Sequence, residues 1–425
     1  MKSLITICLL AGLSCSVAAE KLAIVGGKVF TGSEQGTLDS ATVLIDNNKI
    51  VTVTTSTEVP EGYTAIDATG KYVTPGLIGA YTQLGLVEVS SSAGTVDASV
   101  TESLVSSTGA AFDVSYAINP DSTLMAISRV EGVTSAVTGI SRSATLFKGQ
   151  GALITLSGAS DSVLKARAFV AVDVGNYGAE ANGGSRAAVW VTLNEAISEA
   201  VQVTTAAQLS PSSDWHGINS RADVKALKPV VNGTIPLLIF ADRAADIRQV
   251  ISFKKRYPKI KVVLVKGMEA WRVADELAKA DIPVIIDPEF NLPGGFDQLG
   301  ATLANAKRLE EAGVMVAIGM ETHNIRLATQ HAGNAVAFGM SWDAAMAALT
   351  VNPAQIFAMP DGLGTLKKGA QADVVIWSGD PLEVSEAAEM VIINGKQVEM
   401  TSRQIKLQQR YQQRAQSEQA SQYIR

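Results

Sequence analysis

The stretch IPLLIFADRAADIRQVISFKKRYPKIKVVLVKG, from Ile235 to Gly267, places two short apolar runs on either side of a helical segment. Neither run alternates polar with apolar residues, and both are too short for a helix, which is typical of strands buried on both faces. Two such strands joined by a helix form a parallel strand–helix–strand unit. The stretch therefore predicts a parallel sheet covered by helices.

The same rhythm continues along the middle of the chain. Further apolar runs lie at 133–139, 282–287 and 314–320, and a second helical stretch covers 296–313. The whole repeating part, residues 76–354, has the size of a closed (β/α)₈ barrel, which typically takes ~250 residues. Because chemistry in such barrels sits at the carboxyl ends of the strands, we look for site residues there.

Both ends of the chain carry short strands instead. The segment at 41–53 turns at Asn47-Asn48, and the segment at 390–398 turns at Asn394-Gly395, a pair typical of type I′ hairpins. We predict an α/β fold: a (β/α)₈ TIM-like barrel with a small flanking β-sandwich built from both chain ends. The predicted domains are a sandwich of 20–75 with 355–400, a barrel of 76–354 and a polar helical tail of 401–425.

The first residues, MKSLITICLLAGLSCSVAAE, have the order of a secretory signal: a lysine, an apolar run and then small residues. The apolar run is too short for a membrane span. We predict a signal peptide of residues 1–19, cleavage near Ala19 and a periplasmic or secreted protein. The only cysteines, Cys8 and Cys15, lie in this segment, so the mature chain is expected to have none. The alternatives are lipidation at Cys15, which lacks the aliphatic residue expected three positions before it, and an uncleaved, buried first helix.

The charge balance argues against nucleic acid as a partner. The 425 residues carry 35 lysines and arginines against 41 aspartates and glutamates, for a net charge of −6. No basic stripe is present that could neutralise a row of phosphates.

Several motifs occur together in one order: VTPGLIGAYTQLGL (73–86), KGQGALITL (148–156), PLLIFADRAADI (236–247), GVMVAIGMET (313–322) and LGTLKKGAQADVVIWSGDPLEV (363–384). This combination resembles the amidohydrolase superfamily, close to its imidazolonepropionase-like branch. The resemblance implies a barrel whose mouth holds one or two divalent metals, usually zinc, that acidify a bound water. The ligands in the family are a His-x-His pair on the first strand, histidines ending the fifth and sixth strands, and an aspartate on the eighth.

Every one of these ligand positions is substituted in this chain. Tyr81 and Gln83 replace the first pair, and Phe240, which has no lone pair to donate, replaces the fifth-strand histidine. Lys266 stands on the sixth strand, where an ammonium ~4 Å from a divalent ion would repel it by about 8 kcal/mol at an effective dielectric of 20. Glu321 stands where the aspartate belongs. We therefore expect no metal or other cofactor.

The remaining candidates are a lysine and three histidines. Some members of the family carry a carboxylated lysine on the fourth strand. Lys165 is the nearest candidate, but it has the weaker claim, since a lysine on a solvated turn is the commoner case. His216 is predicted on a loop, and His331 in a helical stretch as a solvated or satisfied histidine. His323 shares a strand-end register with Glu321, so these two are the weak candidates for catalysis.

We expect the residues at the substituted positions to form one pocket. Lys266 and Glu321 should pair across the barrel mouth, because a half-buried charge left alone is costly. Tyr81 and Gln83 should hydrogen bond around the pair, with Phe240 closing one wall.

Two functions from different classes follow. The first is an exported hydrolase of carbon–nitrogen bonds in amides, cyclic imides or dipeptides, with Glu321 as base, assisted by His323. The second is a pseudoenzyme that binds a small molecule or pairs with an active amidohydrolase paralogue. We favour the second, because without a metal the pKa of water returns toward its bulk value.

Overall fold

The computed structural model describes residues 21–89, 96–101, 107–290 and 292–416, with side chains to residue 413 at the C-terminal end. The predicted signal peptide and the last residues of the predicted tail lie outside the described residues. No helix among the described residues has the length and hydropathy needed to cross a membrane.

One sheet of eight strands forms the barrel, with each strand hydrogen-bonded to the next in chain order. We number these the first to the eighth barrel strand: Leu77–Thr82, Val133–Thr138, Phe147–Thr155, Val163–Asp173, Leu237–Ala241, Val262–Lys266, Val284–Ile286 and Val316–Ile318. The eighth and first strands meet where the Gln83 amide donates to the Thr322 carbonyl at 2.9 Å. The predicted α/β barrel is confirmed, with one departure: the third strand is antiparallel to both neighbours.

Helices cover the outside of the barrel. Their bounds are Thr123–Val130, Asn176–Ala181, Arg186–Gln202, Arg221–Val231, Ala244–Arg256, Ala274–Lys279, Asn305–Glu311, Ala328–Ala337, Trp342–Leu349 and Val351–Ile356. The longest buries Val189, Leu193 and Ile197, which recur at the spacing of one helix face, and Ser185 caps its first turn through the Ala187 amide. Single 3₁₀ turns lie at Val114–Tyr116, Ala206–Leu209, Ala270–Val273, Phe296–Gln298 and Pro360–Gly362.

The helix predicted over 296–313 is much shorter than expected. After the 3₁₀ turn, the Gly300 amide donates to Glu269 at 2.8 Å, and a Cβ at residue 300 would meet Glu269 and Arg272 at 2.7 Å. The backbone is therefore held against the preceding unit of the barrel, and the α-helix begins only at Asn305.

A second sheet flanks the barrel and joins the two chain ends. Its strands are Lys21–Phe30, Thr37–Asp46, Lys49–Thr54, Thr64–Asp67, Tyr72–Pro75, Val374–Trp377, Ala388–Ile393 and Lys396–Gln397. The N-terminal and C-terminal parts meet where Tyr72–Pro75 pairs antiparallel with Val374–Trp377. Both predicted hairpin turns are present, since Asn47, Asn394 and Gly395 have positive φ angles of 56°, 52° and 75°. A two-stranded pair, Ser99–Val100 with Arg142–Ser143, and the terminal helix Arg403–Gln416 complete the described elements.

Candidate site at the barrel mouth

The carboxyl ends of the parallel strands surround a cavity of about 680 Å³. Tyr81 from the first strand, Lys266 from the end of the sixth and Glu321 just after the eighth line it. These side chains converge because parallel strands end at the same edge of a barrel. The cavity lies where active sites of this fold are built.

The structure shows the predicted ion pair between Lys266 and Glu321, with nitrogen and oxygen 3.1 Å apart. The side-chain amide of Gln83 donates to the backbone carbonyl of Glu321 at 3.2 Å. Gln83 therefore supports the backbone that carries the Glu321 carboxylate. Burial lowers the pKa of Lys266, but the carboxylates of Glu321, Asp173 and Asp242 outweigh it and leave that pKa above its ordinary value. The Lys266 side chain is therefore a stable cation, 41% of whose surface is exposed.

Lys266 also holds an unfavourable backbone conformation. Its φ is +75°, in the left-handed region that residues with a Cβ seldom adopt. Such strain costs on the order of 1–3 kcal/mol and persists only where the surroundings impose it, often at functional sites. The contact with Glu321 at 3.1 Å, and not this backbone conformation, shows that the side chain points to the mouth.

A second lysine at the mouth, Lys148, was not predicted from the sequence. Lys148 is 3% exposed and lies 3.5 Å from Asp173 and 3.8 Å from Glu321. Its ammonium sits 3.7 Å from the centre of the Phe240 ring, a cation–π contact. Glu321 therefore has a lysine on each of its two oxygens.

Asp173 is the residue that ends the fourth barrel strand. Its Oδ1 accepts hydrogen bonds from the Gly175 and Gly178 amides, and its Oδ2 faces Lys148. Lys165 lies eight residues earlier, near the other end of this strand, about 26 Å away at 3.3 Å per residue. Lys165 is therefore wrong as the fourth-strand candidate, because it lies far from the mouth. Asp173 occupies the end of the fourth strand at the mouth instead.

Aromatic rings form an inner wall below the ion pairs. Tyr81 lines the cavity, whereas Phe240, which was predicted to close one wall of the pocket, is buried behind its lining. The Tyr81 hydroxyl donates to the Ile140 carbonyl at 2.7 Å, and its ring contacts Phe169 and Phe240 with centroids 5.9 and 5.2 Å apart. Burial is the main reason that the pKa of Tyr81 lies well above its ordinary value, and Glu321 and Asp173 add to it. Tyr81 thus stays neutral and acts as a hydrogen-bond donor.

The three histidines lie in different surroundings. His216 is on an exposed loop, as predicted, 2.6 Å from Asp214. His323 lines the cavity beside Glu321. His331 is satisfied rather than solvated: it is buried, with Nδ1 2.7 Å from Asp287 and Nε2 3.3 Å from Glu289.

The placement of His331 at the mouth was not predicted. Asp287 directly follows the seventh barrel strand, and His331 reaches it from the helix Ala328–Ala337. An aspartate at the end of a predicted strand was the one available signal in the sequence. This group forms the outer rim of the same cavity.

Asp242 completes the charged lining. Its oxygens accept from the Met268 amide at 3.2 Å and from the Gln298 side chain at 3.0 Å. Burial raises the pKa of Asp242 and the Asp173 carboxylate raises it further, while the hydrogen bonds and Lys266 oppose them; the net pKa is above its ordinary value.

The residues at the family's ligand positions do not fit a divalent metal. A phenol already bound to a carbonyl, a side-chain amide, a phenyl ring and an ammonium replace the usual imidazoles, and the remaining carboxylate is paired with two lysines. In residues 21–89, 96–101, 107–290 and 292–416, no group of three or more His, Cys, Asp or Glu side chains has the geometry to hold a metal.

Comparisons with known proteins agree with this fold. Residues 333–399 match the profile of the amidohydrolase family. A 58-residue segment is 41% identical to the amidohydrolase tasK of Hapsidospora irregularis, and this segment covers 14% of this chain and 6% of that protein. The chain thus spans only a small part of the length of this relative.

Solved structures match over most of the chain. The crystal structure of an amidohydrolase from Thermotoga maritima MSB8 superimposes with a TM-score of 0.77 and 23% identity, covering 89% of this chain and 99% of that one. Molinate hydrolase superimposes with a TM-score of 0.55 and 17% identity, covering 90% and 95%. The local family match, the curated relative and the shared fold agree with the resemblance to the amidohydrolase superfamily.

Proposed function

We propose that this chain is an exported, non-catalytic amidohydrolase-fold protein that binds a small molecule at the barrel mouth. The observation that carries the proposal is the charge arrangement around Glu321. Lys266 and Lys148 approach its two oxygens at 3.1 and 3.8 Å, where the family resemblance implies a metal. Two fixed ammonium groups supply the positive charge that the fold otherwise obtains from an ion, and they repel a metal that would enter.

The same contacts argue against hydrolysis with Glu321 as base. A general base must reach the proton that it removes from water. Lysine nitrogens lie 3.1 and 3.8 Å from the two oxygens of Glu321, so a water that approaches either oxygen must compete with a lysine for it. His323 lines the cavity, but a lone imidazole beside a paired carboxylate supplies no metal-bound water.

Metal analysis of the purified chain tests this proposal. We expect far less than one zinc or manganese per chain, both as purified and after reloading, and no turnover in a screen of amides, cyclic imides and dipeptides. The double variant Phe240→His with Lys266→His restores two family ligands and removes one repelling charge, so it should retain more zinc than the natural chain. About one tightly held metal per natural chain, together with amide cleavage, would establish the hydrolase instead.

A second candidate function, a partner subunit, is favoured by the surface beside the mouth. Four large apolar side chains within ten residues are exposed there: Phe290, Leu292, Phe296 and Leu299. Singly exposed apolar residues are ordinary, whereas a local group marks an interaction surface. Purification from the native source, followed by identification of co-purifying chains, tests whether an active paralogue binds.

Export is tested separately from ligand binding. We expect the N-terminal residue of the protein purified from its native source to be Glu20, following cleavage after Ala19. An intact leader on all of the purified protein would contradict this part of the proposal.

A further inference from the structure

We infer that the ligand of the mouth cavity is a small organic cation, an amine with an apolar body; this inference rests on the proposed binding function. The cavity of about 680 Å³ lies within the roughly 300–1,000 Å³ of small-molecule sites. Its apolar wall includes Val265, Met268, Ile285 and Met320. A wall of this kind accommodates a hydrocarbon body.

The charged residues of the lining favour a ligand with a positive charge. Four carboxylates line the cavity, from Asp242, Asp287, Glu289 and Glu321, against one lysine, Lys266. Behind this lining, the buried charge of Lys148 is matched by that of Asp173. Even with His323 and His331 both protonated, the carboxylates outnumber the cations by one. A cleft with apolar walls and an excess of one charge concentrates ligands of the opposite charge.

Two groups at the mouth agree with this excess of carboxylates. Burial alone would lower the pKa of Lys266, but Glu321, Asp173 and Asp242 leave that pKa above its ordinary value. Burial is the main cause of the raised pKa of Tyr81, and Glu321 and Asp173 raise it further. The carboxylates therefore outweigh the cations around both groups.

The rim offers acceptors that an ammonium group can use. Asp287 uses Oδ1 for His331 and for the Glu289 amide, and its Oδ2 receives no hydrogen bond from the described residues. Glu289 is the most exposed of the paired carboxylates facing the cavity, with 37% of its side chain accessible. An ammonium between these two carboxylates would gain charge-assisted hydrogen bonds.

Neither an anion nor a metal ion suits this lining equally well. An anion would find one cation in the lining, Lys266, which Glu321 already pairs at 3.1 Å. It would also lose water beside the carboxylates of Asp242 and Glu321, which is costly. A metal ion needs three or four ligands, and no such group occurs in the parts of the chain that the structure describes.

A matched probe series tests the inference: hexylamine, hexanol and hexanoate, which share one body and differ in charge. Calorimetry on the natural chain should show binding of hexylamine at least about tenfold tighter than that of hexanoate, because only the amine gains charge-assisted hydrogen bonds from the rim carboxylates. Hexylamine at saturation should also raise the thermal unfolding temperature by a few degrees.

Variants locate the site. Asp287→Asn and Glu289→Gln should each weaken hexylamine binding about tenfold and leave hexanol unaffected. Glu276→Gln, which changes an exposed carboxylate on the outer helix Ala274–Lys279, is the matched control and should bind as the natural chain does. Circular dichroism of each variant verifies that it is folded.

The outcomes separate this inference from the proposed function. Equal affinity for hexylamine and hexanoate, or no binding of hexylamine, overturns the inference and leaves the metal-free mouth unaffected. Stoichiometric zinc that competes with hexylamine overturns both. Preferential hexylamine binding that Glu289→Gln and Asp287→Asn do not weaken also overturns the inference, because the amine then binds elsewhere.

Discussion

At the scale of single residues, Lys148 is the residue on which the charge balance of the mouth depends most. It is almost fully buried, and its neighbours are two carboxylates and an aromatic ring. A buried ion pair contributes little to stability compared with apolar residues, but removing one partner leaves a desolvated charge. Losing Lys148 would therefore destabilise the protein mainly because the carboxylates of Asp173 and Glu321 would lose their buried cation.

Replacing Lys148 by methionine should destabilise the protein strongly. Methionine keeps the length of the side chain but leaves Asp173 and Glu321 without their buried cation, a loss of about 3–5 kcal/mol. Urea unfolding followed by circular dichroism measures the change. The variant Lys307→Met is the control: its exposed pair with Glu311 should contribute less than ~1 kcal/mol.

A second substitution distinguishes charge from packing at this position. Adding Asp173→Asn to Lys148→Met removes the orphaned carboxylate and should recover part of the lost stability. Equal stability of the single and double variants would mean that Asp173 is not the group that needs the lysine.

Asp242 gives a prediction that depends on pH. Its pKa is raised in the folded protein, chiefly by burial, so folding favours the protonated carboxyl. That contribution is fully present below the unfolded pKa of about 4 and is lost as the pH rises through the raised folded value. Charged Asp242 therefore lowers the stability of the natural chain at neutral pH.

The variant Asp242→Asn removes this cost. The stability difference, variant minus natural chain, should be more positive at pH 7 than at pH 4, as measured by urea unfolding at both values. Asp275→Asn, at an exposed position on an outer helix, should show no such change. A difference for Asp242→Asn that is constant with pH would contradict the raised pKa.

At the scale of elements, the third barrel strand explains why Lys148 stands at the mouth. Residues 147–155 run antiparallel to both neighbours, so the beginning of this strand lies at the edge where the parallel strands end. A lysine near the start of a parallel strand would lie at the opposite end of the barrel. Strand direction, rather than the residue alone, places the charge.

Gly151 tests the packing of this strand against the inner wall. A Cβ at this position would overlap the ring of Phe169, which packs against Tyr81. Gly151→Ala should lower the free energy of unfolding by about 1–3 kcal/mol, because the ring must move within a filled barrel. Gly295→Ala, in an open loop with extended backbone, is the matched control and should change stability little. A Gly151→Ala variant as stable as this control would show that the Phe169 ring can move without a cost in stability.

The elements also show what could be predicted from the sequence. Five of the parallel barrel strands were visible because each is a short apolar run, as in 235–241 and 261–267, whereas the fourth strand, Val163–Asp173, was not found in this way. The five substituted positions followed from the resemblance. Lys148 and Asp173 were not found, because their contact depends on the reversed direction of one strand. His331 was taken as an ordinary helical histidine, since a helix pattern does not show which strand end the helix faces.

At the scale of the whole molecule, the barrel and the flanking sheet share one seam. The strands Tyr72–Pro75 and Val374–Trp377 join the two ends of the chain. Trp377 is buried, its indole NH donates to Thr74 at 2.9 Å, and its ring lies against Gly132, just before the second barrel strand. One side chain thus contacts both units.

Removing that side chain should weaken the whole molecule rather than the sheet alone. Trp377→Ala should cost about 3–5 kcal/mol, because a large buried ring is lost and the Thr74 hydroxyl loses its donor. We expect a single thermal transition, shifted to lower temperature, in scanning calorimetry. Val384→Ala, at an exposed position on the same end of the chain, should leave the transition unchanged. Two separate transitions in the Trp377→Ala protein, with the larger one unshifted, would show that the barrel is stable without the seam.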